Sequence, residues 1–161
     1  MALSKALDGF RPSRKKGSGC NSTGMGEYTI ASGYASNIFT GDLVTMNAGN
    51  VEVVTTIVDD KILGVFGGCS YTVNGEPKFS KYWPASTSAS NIVALVHDDP
   101  NSTFIVQADA SVTAGDVYST TFTVTLGAGS TYTGKSGHGL LAGGRGDDGQ
   151  LTVIGAGKEP G

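Results

Sequence analysis

Apolar and β-branched residues recur along this chain in short runs, and each run is closed by glycine, asparagine or aspartate. The pattern predicts strands near residues 28–31, 43–47, 51–58 and 62–66, with Asn47-Ala48-Gly49-Asn50 as a hairpin turn and Asp59-Asp60 as a second connection. After Gly67-Gly68, residues 69–83 read as another hairpin turning at Asn74-Gly75, with Tyr71, Phe79, Tyr82 and Trp83 clustered around it. Residues 84–91 form a Ser/Ala/Thr loop. Strands follow at 92–97 and 103–107, joined by Asp98-Asp99-Pro100-Asn101, and again at 116–124 and 150–154. Residues 127–149 read as a glycine-rich loop region, in which only Leu140 and Leu141 offer apolar anchorage. No helical period of useful length appears, although residues 112–116 suit a single turn. Closely spaced short strands imply a mainly β fold, a small barrel or a sandwich-like domain.

Residues 1–26 differ from this text. Gly9, Pro12, Gly17, Gly19, Gly24 and Gly26 oppose regular structure there, so the segment reads as an extended arm before a β domain at 27–161, with Leu3, Leu7 and Phe10 as its apolar exceptions. The 161 residues fit one domain plus an extension. With 25 glycines and 16% charged residues, the chain matches neither disorder nor long helices. Charge sharpens the division. The arm holds five basic residues against one acid, and the remainder six basic against thirteen acidic residues, so net charges of +4 and −7 make up the total of −3. Arg11, Arg14, Lys15 and Lys16 concentrate the positive charge, which suits an acidic partner or a solvated tail. The acidic body argues against nucleic acid as that partner. No secretory signal and no apolar run long enough for a membrane span is present, so a soluble product made in the cytoplasm is expected.

Catalytic motifs fare poorly against simpler readings. His97-Asp98-Asp99 could supply a base and its orienting acid, yet Asp-Asp-Pro-Asn is also what a tight turn requires. His138, flanked by glycines, reads as solvent-facing. The glycine clusters lack Walker or Rossmann spacing, and Arg145-Gly146-Asp147 reads as a turn. Asp59-Asp60, Asp98-Asp99 and Asp147-Asp148 carry no calcium-loop spacing, and Cys20 and Cys69 are expected to be free thiols. No metal or cofactor is expected.

Several segments, taken in order, carry a resemblance: Gly9-Phe10-Arg11-Pro12-Ser13-Arg14, Ile38-Phe39-Thr40-Gly41-Asp42-Leu43-Val44, and Ile62-Leu63-Gly64-Val65-Phe66-Gly67-Gly68. Tyr82-Trp83-Pro84-Ala85, Asp98-Asp99-Pro100 with Phe104-Ile105-Val106-Gln107, and Gly127-Ala128-Gly129-Ser130 with Thr133-Gly134-Lys135-Ser136-Gly137 continue it. Together they resemble the capsid decoration, or cement, proteins of tailed phages that infect marine and other aquatic bacteria, the cyanophage-like podophages among them; the stretch from Gly143 onward matches least. The resemblance implies a non-enzymatic virion protein with a β-tulip-like domain on the outer capsid surface, commonly a homotrimer, whose extended termini clamp neighbouring major capsid proteins. Carried onto this chain, the clamp is the arm: Arg11, Arg14, Lys15 and Lys16 pair with carboxylates of the coat protein and Phe10 is the apolar anchor. On that reading, deleting residues 1–16 leaves the β domain folded and lowers its occupancy on capsids. Tyr71, Phe79, Tyr82 and Trp83 either cover one end of the barrel or form a subunit contact. Two other functions compete: a receptor- or glycan-binding module stacking sugars on Tyr71, Tyr82 and Trp83, and a hydrolase built on His97 and Asp99.

Overall fold

The computed structural model describes residues 7–17, 24–56, 61–119, 121–146 and 149–155. Cys20, Leu3, Asp59-Asp60 and Asp147-Asp148 lie outside them. Among the described residues the chain is mainly β, in several antiparallel sheets, and no sheet closes into a barrel. The strands are β1 (Arg11–Lys15), β2 (Gly26–Tyr28), β3 (Ile38–Phe39), β4 (Leu43–Asn47), β5 (Asn50–Val53), β6 (Ile62–Val73) and β7 (Glu76–Ser80). They continue with β8 (Tyr82–Trp83), β9 (Ser90–His97), β10 (Ser102–Ile105), β11 (Thr121–Ser130), β12 (Lys135–Gly146) and β13 (Leu151–Thr152). One 3-10 turn, Ala114–Asp116, falls where the sequence suits a single turn; the Thr113 amide donates to Asp116 Oδ2 at 2.7 Å and closes it.

A six-stranded sheet forms the centre, ordered β2-β9-β6-β4-β5 with β7 added on β6. Its two hairpin turns follow from local chemistry. At Asn74-Gly75 both residues have positive φ, 53° and 82°, which the tight turns matching strand twist demand and which Asn and Gly supply at least cost. Ala48-Gly49 adopts the same geometry with φ of 46° and 83°, so an alanine sits in the left-handed region.

Successive residues of a strand point to opposite faces, and the centre of this sheet buries both. Val44 and Phe66 join one core with Ile30, Ile38, Val51, Cys69, Tyr71, Trp83, Ala94 and Val96, covered by the β3–β8 ribbon. Their neighbours Leu43 and Val65 join a second core with Phe10, Val54 and Val124, against which Phe104, Leu126 and Leu151 pack. The second core therefore draws on the N-terminal segment, β10 and the β11–β12 hairpin.

Three sequence expectations change here. Glycine does not keep residues 1–26 free of regular structure: β1 pairs with β10, β2 pairs with β9, and Phe10 is 3% exposed. The strand expected to end at Phe66 runs on to Val73 through Gly67-Gly68. The glycine-rich stretch from 127 is no loop but most of the β11–β12 hairpin. At two of its glycines a side chain has no room: a Cβ on Gly127 would stand 2.3 Å from the Gly137 carbonyl oxygen, and one on Gly129 2.2 Å from the Phe39 ring.

Candidate functional site: a basic face on the first strand

Arg11 and Arg14 are three residues apart, and in a regular strand an odd separation places side chains on opposite faces. The β1–β10 pairing runs Arg11 to Ile105 and Pro12 to Phe104, slips by one residue, then runs Arg14 to Thr103 and Lys15 to Ser102. Ser13 is the extra residue of this bulge. Ile105 and Thr103, two apart on β10, share a face, so the bulge brings Arg11 and Arg14 to that same face. The Thr103 hydroxyl donates to the Arg14 carbonyl at 2.8 Å, and the Lys16 amide donates to the Asn101 carbonyl at 2.8 Å, so the pairing is tied beyond its ladder.

Two residues of the opposite face meet the rest of the fold, although Pro12 on it is exposed. Phe104 packs on the second core, and Lys15 Nζ lies 2.7 Å from Asp99 Oδ2. The Lys15 ammonium, followed by the Asn101 amide, holds the Asp99 carboxyl below its ordinary value. Lys15 is thereby committed to the fold. Among the described residues Arg11, Arg14 and Lys16 meet no acidic partner, and all three are exposed.

Apolar surface adjoins these cations. Ile105 is 55% exposed beside Arg11, and Tyr118 is 61% exposed with the Lys16 ammonium 5.4 Å from its ring centre. Tyr118 is held there by its amide, which donates to the Val153 carbonyl at 3.0 Å and brings Ile154 alongside. A surface groove of about 460 Å³ is lined by Arg14, Lys15, Lys16, Thr103, Tyr118 and Ile154. Cations beside an exposed aromatic and aliphatic rim can hold an acidic surface and exclude water around the contact. Phe10 has no part in that face; it is a core residue, because its carbon surface finds Leu43 and Val65 within its own chain.

The aromatic set divides likewise. Trp83 is 0% exposed, and Tyr71 meets it edge to face with ring centres 5.1 Å apart. Tyr82 stacks on Phe39 at 5.4 Å, and Phe79 alone of the four stands in solvent, 87% exposed. Tyr71 and Trp83 are therefore unavailable to a sugar or to a neighbouring subunit. They do cover core, although of a sandwiched sheet and not of a barrel end.

The His97-Asp98-Asp99 grouping separates. Asp98 accepts the Tyr28 hydroxyl at 2.6 Å, Asp99 binds Lys15, and the His97 ring lies edge-on to Phe104 with its Nδ1 buried and unbonded. His138, expected in solvent, is buried with Asp42 and Ser136, which sequence separation conceals. The trio has the composition of a hydrolytic triad without its geometry. His138 Nδ1 accepts the Leu43 amide at 3.1 Å, Nε2 faces Asp42 Oδ1 at 3.5 Å, and the Ser136 hydroxyl oxygen accepts the His138 amide at 2.9 Å. With both ring nitrogens engaged elsewhere, the ring cannot act as base toward that serine. Cys69 is a free, buried thiol pushed up to about 12 by burial, which suppresses its reactivity.

Among the described residues no group of three or more His, Cys, Asp or Glu side chains is placed to hold a metal ion, and no helix is long and apolar enough to cross a membrane. Comparison with protein-family models, curated proteins and solved structures returns no match.

Proposed function

We propose that this chain is a non-enzymatic capsid decoration protein that docks on the outside of a tailed-phage head, clamps neighbouring major capsid proteins and stabilises the shell as a homotrimer. The family resemblance of the sequence suggests the role. The observation that carries it is the gathering of Arg11, Arg14 and Lys16, with no acidic partner among the described residues, on one face beside exposed Ile105, Tyr118 and Ile154. Such a face suits a carboxylate-bearing coat surface. The apolar contact falls to Tyr118 and Ile105, and Phe79 suits a contact between subunits. A mainly β body with a core on each side of its central sheet supports that reading, in which it is the tulip-like domain the resemblance implies. A rigid clip adds area that must be exposed before capsomers separate, so bound protein opposes the internal pressure of the packaged genome.

Exposed ion pairs contribute roughly 0.2–1 kcal/mol each, and reversal adds repulsion to the loss. The triple variant Arg11→Glu, Arg14→Glu, Lys16→Glu should therefore lose at least about tenfold in affinity for undecorated capsids, read by co-sedimentation, with its thermal midpoint little changed. Wild-type occupancy by that variant would overturn the reading.

A further inference from the structure

The root of β1 is held by the same residues that surround the buried Asp42–Ser136–His138 cluster. The Gly9 amide donates to the His138 carbonyl at 3.2 Å, and the Phe10 amide to the Gly41 carbonyl at 3.0 Å. Gly9 has φ +75°, and a Cβ there would lie 2.5 Å from Ser136 Cβ, so the chain passes directly over the cluster. Asp42, in the bend between β3 and β4, accepts the Phe39 amide at 2.7 Å and the Ser136 hydroxyl. The Ser136 amide donates to the Thr40 carbonyl at 3.0 Å, which fastens β12 to that bend.

The hydrogen bonds fix the proton on His138. Because Nδ1 accepts the Leu43 amide, the neutral ring carries its proton on Nε2, toward Asp42. A second proton would have to enter at Nδ1, where a backbone N–H already points. Charging the ring therefore opposes two donors and costs the bond to Leu43, a residue of the second core beside Phe10. Among the described residues the charged group that acts on the ring is Asp42 from the β3–β4 bend; Lys135, three residues before His138 on β12, is paired with Asp8 of the N-terminal segment at 3.5 Å. That outer pair is half exposed and screened by water.

We propose that this cluster is an acid-sensitive latch on the docking strand, in which charging of His138 breaks the Leu43 bond, shifts the β12 backbone and frees Gly9 and Phe10. Only its biological consequence rests on the docking role proposed for β1. Burial, partly offset by Asp42, pushes His138 below its ordinary 6.5. A histidine so depressed contributes stability that is complete above about pH 6.5 and is lost as pH falls from there toward its folded value. Burial raises Asp42 above 3.8, against the pull of His138, Ser136 and the Phe39 amide, so its protonation at lower pH works in the opposite direction. The loosening belongs to the first part of the acid range.

The full chain, labelled with ¹⁵N, tests this without any partner. At about pH 7.5 the His138 ring should show the Nε2–H tautomer. Between about pH 6.5 and 4.5, the exchange rates of the Gly9, Phe10 and Leu43 amides, corrected for intrinsic pH dependence, should rise together by about tenfold or more, tracking the ring, while Ala94 and Val96 stay protected. In His138→Asn, whose side-chain oxygen can take the place of Nδ1 and cannot titrate, the rise should vanish. An Nδ1–H tautomer, ring charging that leaves those amides unchanged, or an undiminished response in His138→Asn would each overturn the latch. Should the variant fail to fold, the wild-type titration alone decides. Capsid co-sedimentation at neutral pH reads the docking role separately, so either idea can fail without the other.

Discussion

The segment from Leu7 to Gly17 and the hairpin from Cys69 to Trp83 each hold residues suited to binding, and folding treats them oppositely. Carbon-rich rings are drawn inward wherever a partner ring is near, as Trp83 is by Tyr71, so aromatic content reports the core more often than a binding face. Cations without counterions cannot follow them, because burying an unpaired charge costs far more than a strand gains by packing it. Lys15 shows the exception that a partner permits, and Asp99 is that partner. Arg11, Arg14 and Lys16 thus stay at the surface, while Phe10, beside them in sequence, belongs with the rings.

The largest effect that can break this comparison is removal of residues 1–16. It takes Phe10 from the second core and β1 from β10, and Phe→Ala in a core alone costs about 3–5 kcal/mol. The truncated chain should melt far earlier or fail to fold; an unchanged melting curve would restore the picture of a detached arm. Next comes the hairpin. Trp83→Ala should cost about 3–5 kcal/mol in chemical denaturation, while Phe79→Ala, four positions earlier, should stay within about 0.5 kcal/mol. Similar costs at the two sites would mean that Phe79 packs on something within its own chain. The smallest effect concerns the turns. Ala48→Asn converts the first hairpin to the chemistry of the second and should raise stability by about 1 kcal/mol, read as a shift in denaturant midpoint at constant slope.

What the sequence made legible was local. Asn74-Gly75 and Asn47 to Asn50 announced their turns because positive φ is a property of two adjacent residues. The mainly β class followed from such punctuation. Gly67-Gly68 and the glycines from 127 misled for a tertiary reason: β6 passes Gly67 as a bulge and pairs on beyond it, and Gly127, Gly129 and Gly137 make room for a neighbouring backbone or ring. Asp42 and His138 were invisible as a pair because β4 and β12 meet only in the folded chain. Of the proposed docking face, the three cations were readable from charge alone. Tyr118 and Ile154 were not, since their approach depends on the turn after Asp116 and on the segment that follows β13, and Ile105 reaches Arg11 only through the β1–β10 pairing.

The bulge at Ser13 gives β1 an unequal tolerance to changes in length. Losing that one residue would leave a regular pairing in which Arg11 still faces Ile105 and Arg14 still faces Thr103. Gaining one would demand a second bulge, or else turn Arg11 inward or pull Lys15 from Asp99, with every charge still present in the composition. Drift in this segment is therefore constrained by residue count before residue type: related chains can shorten the strand by one and keep its chemistry, but cannot lengthen it by one without rebuilding the face.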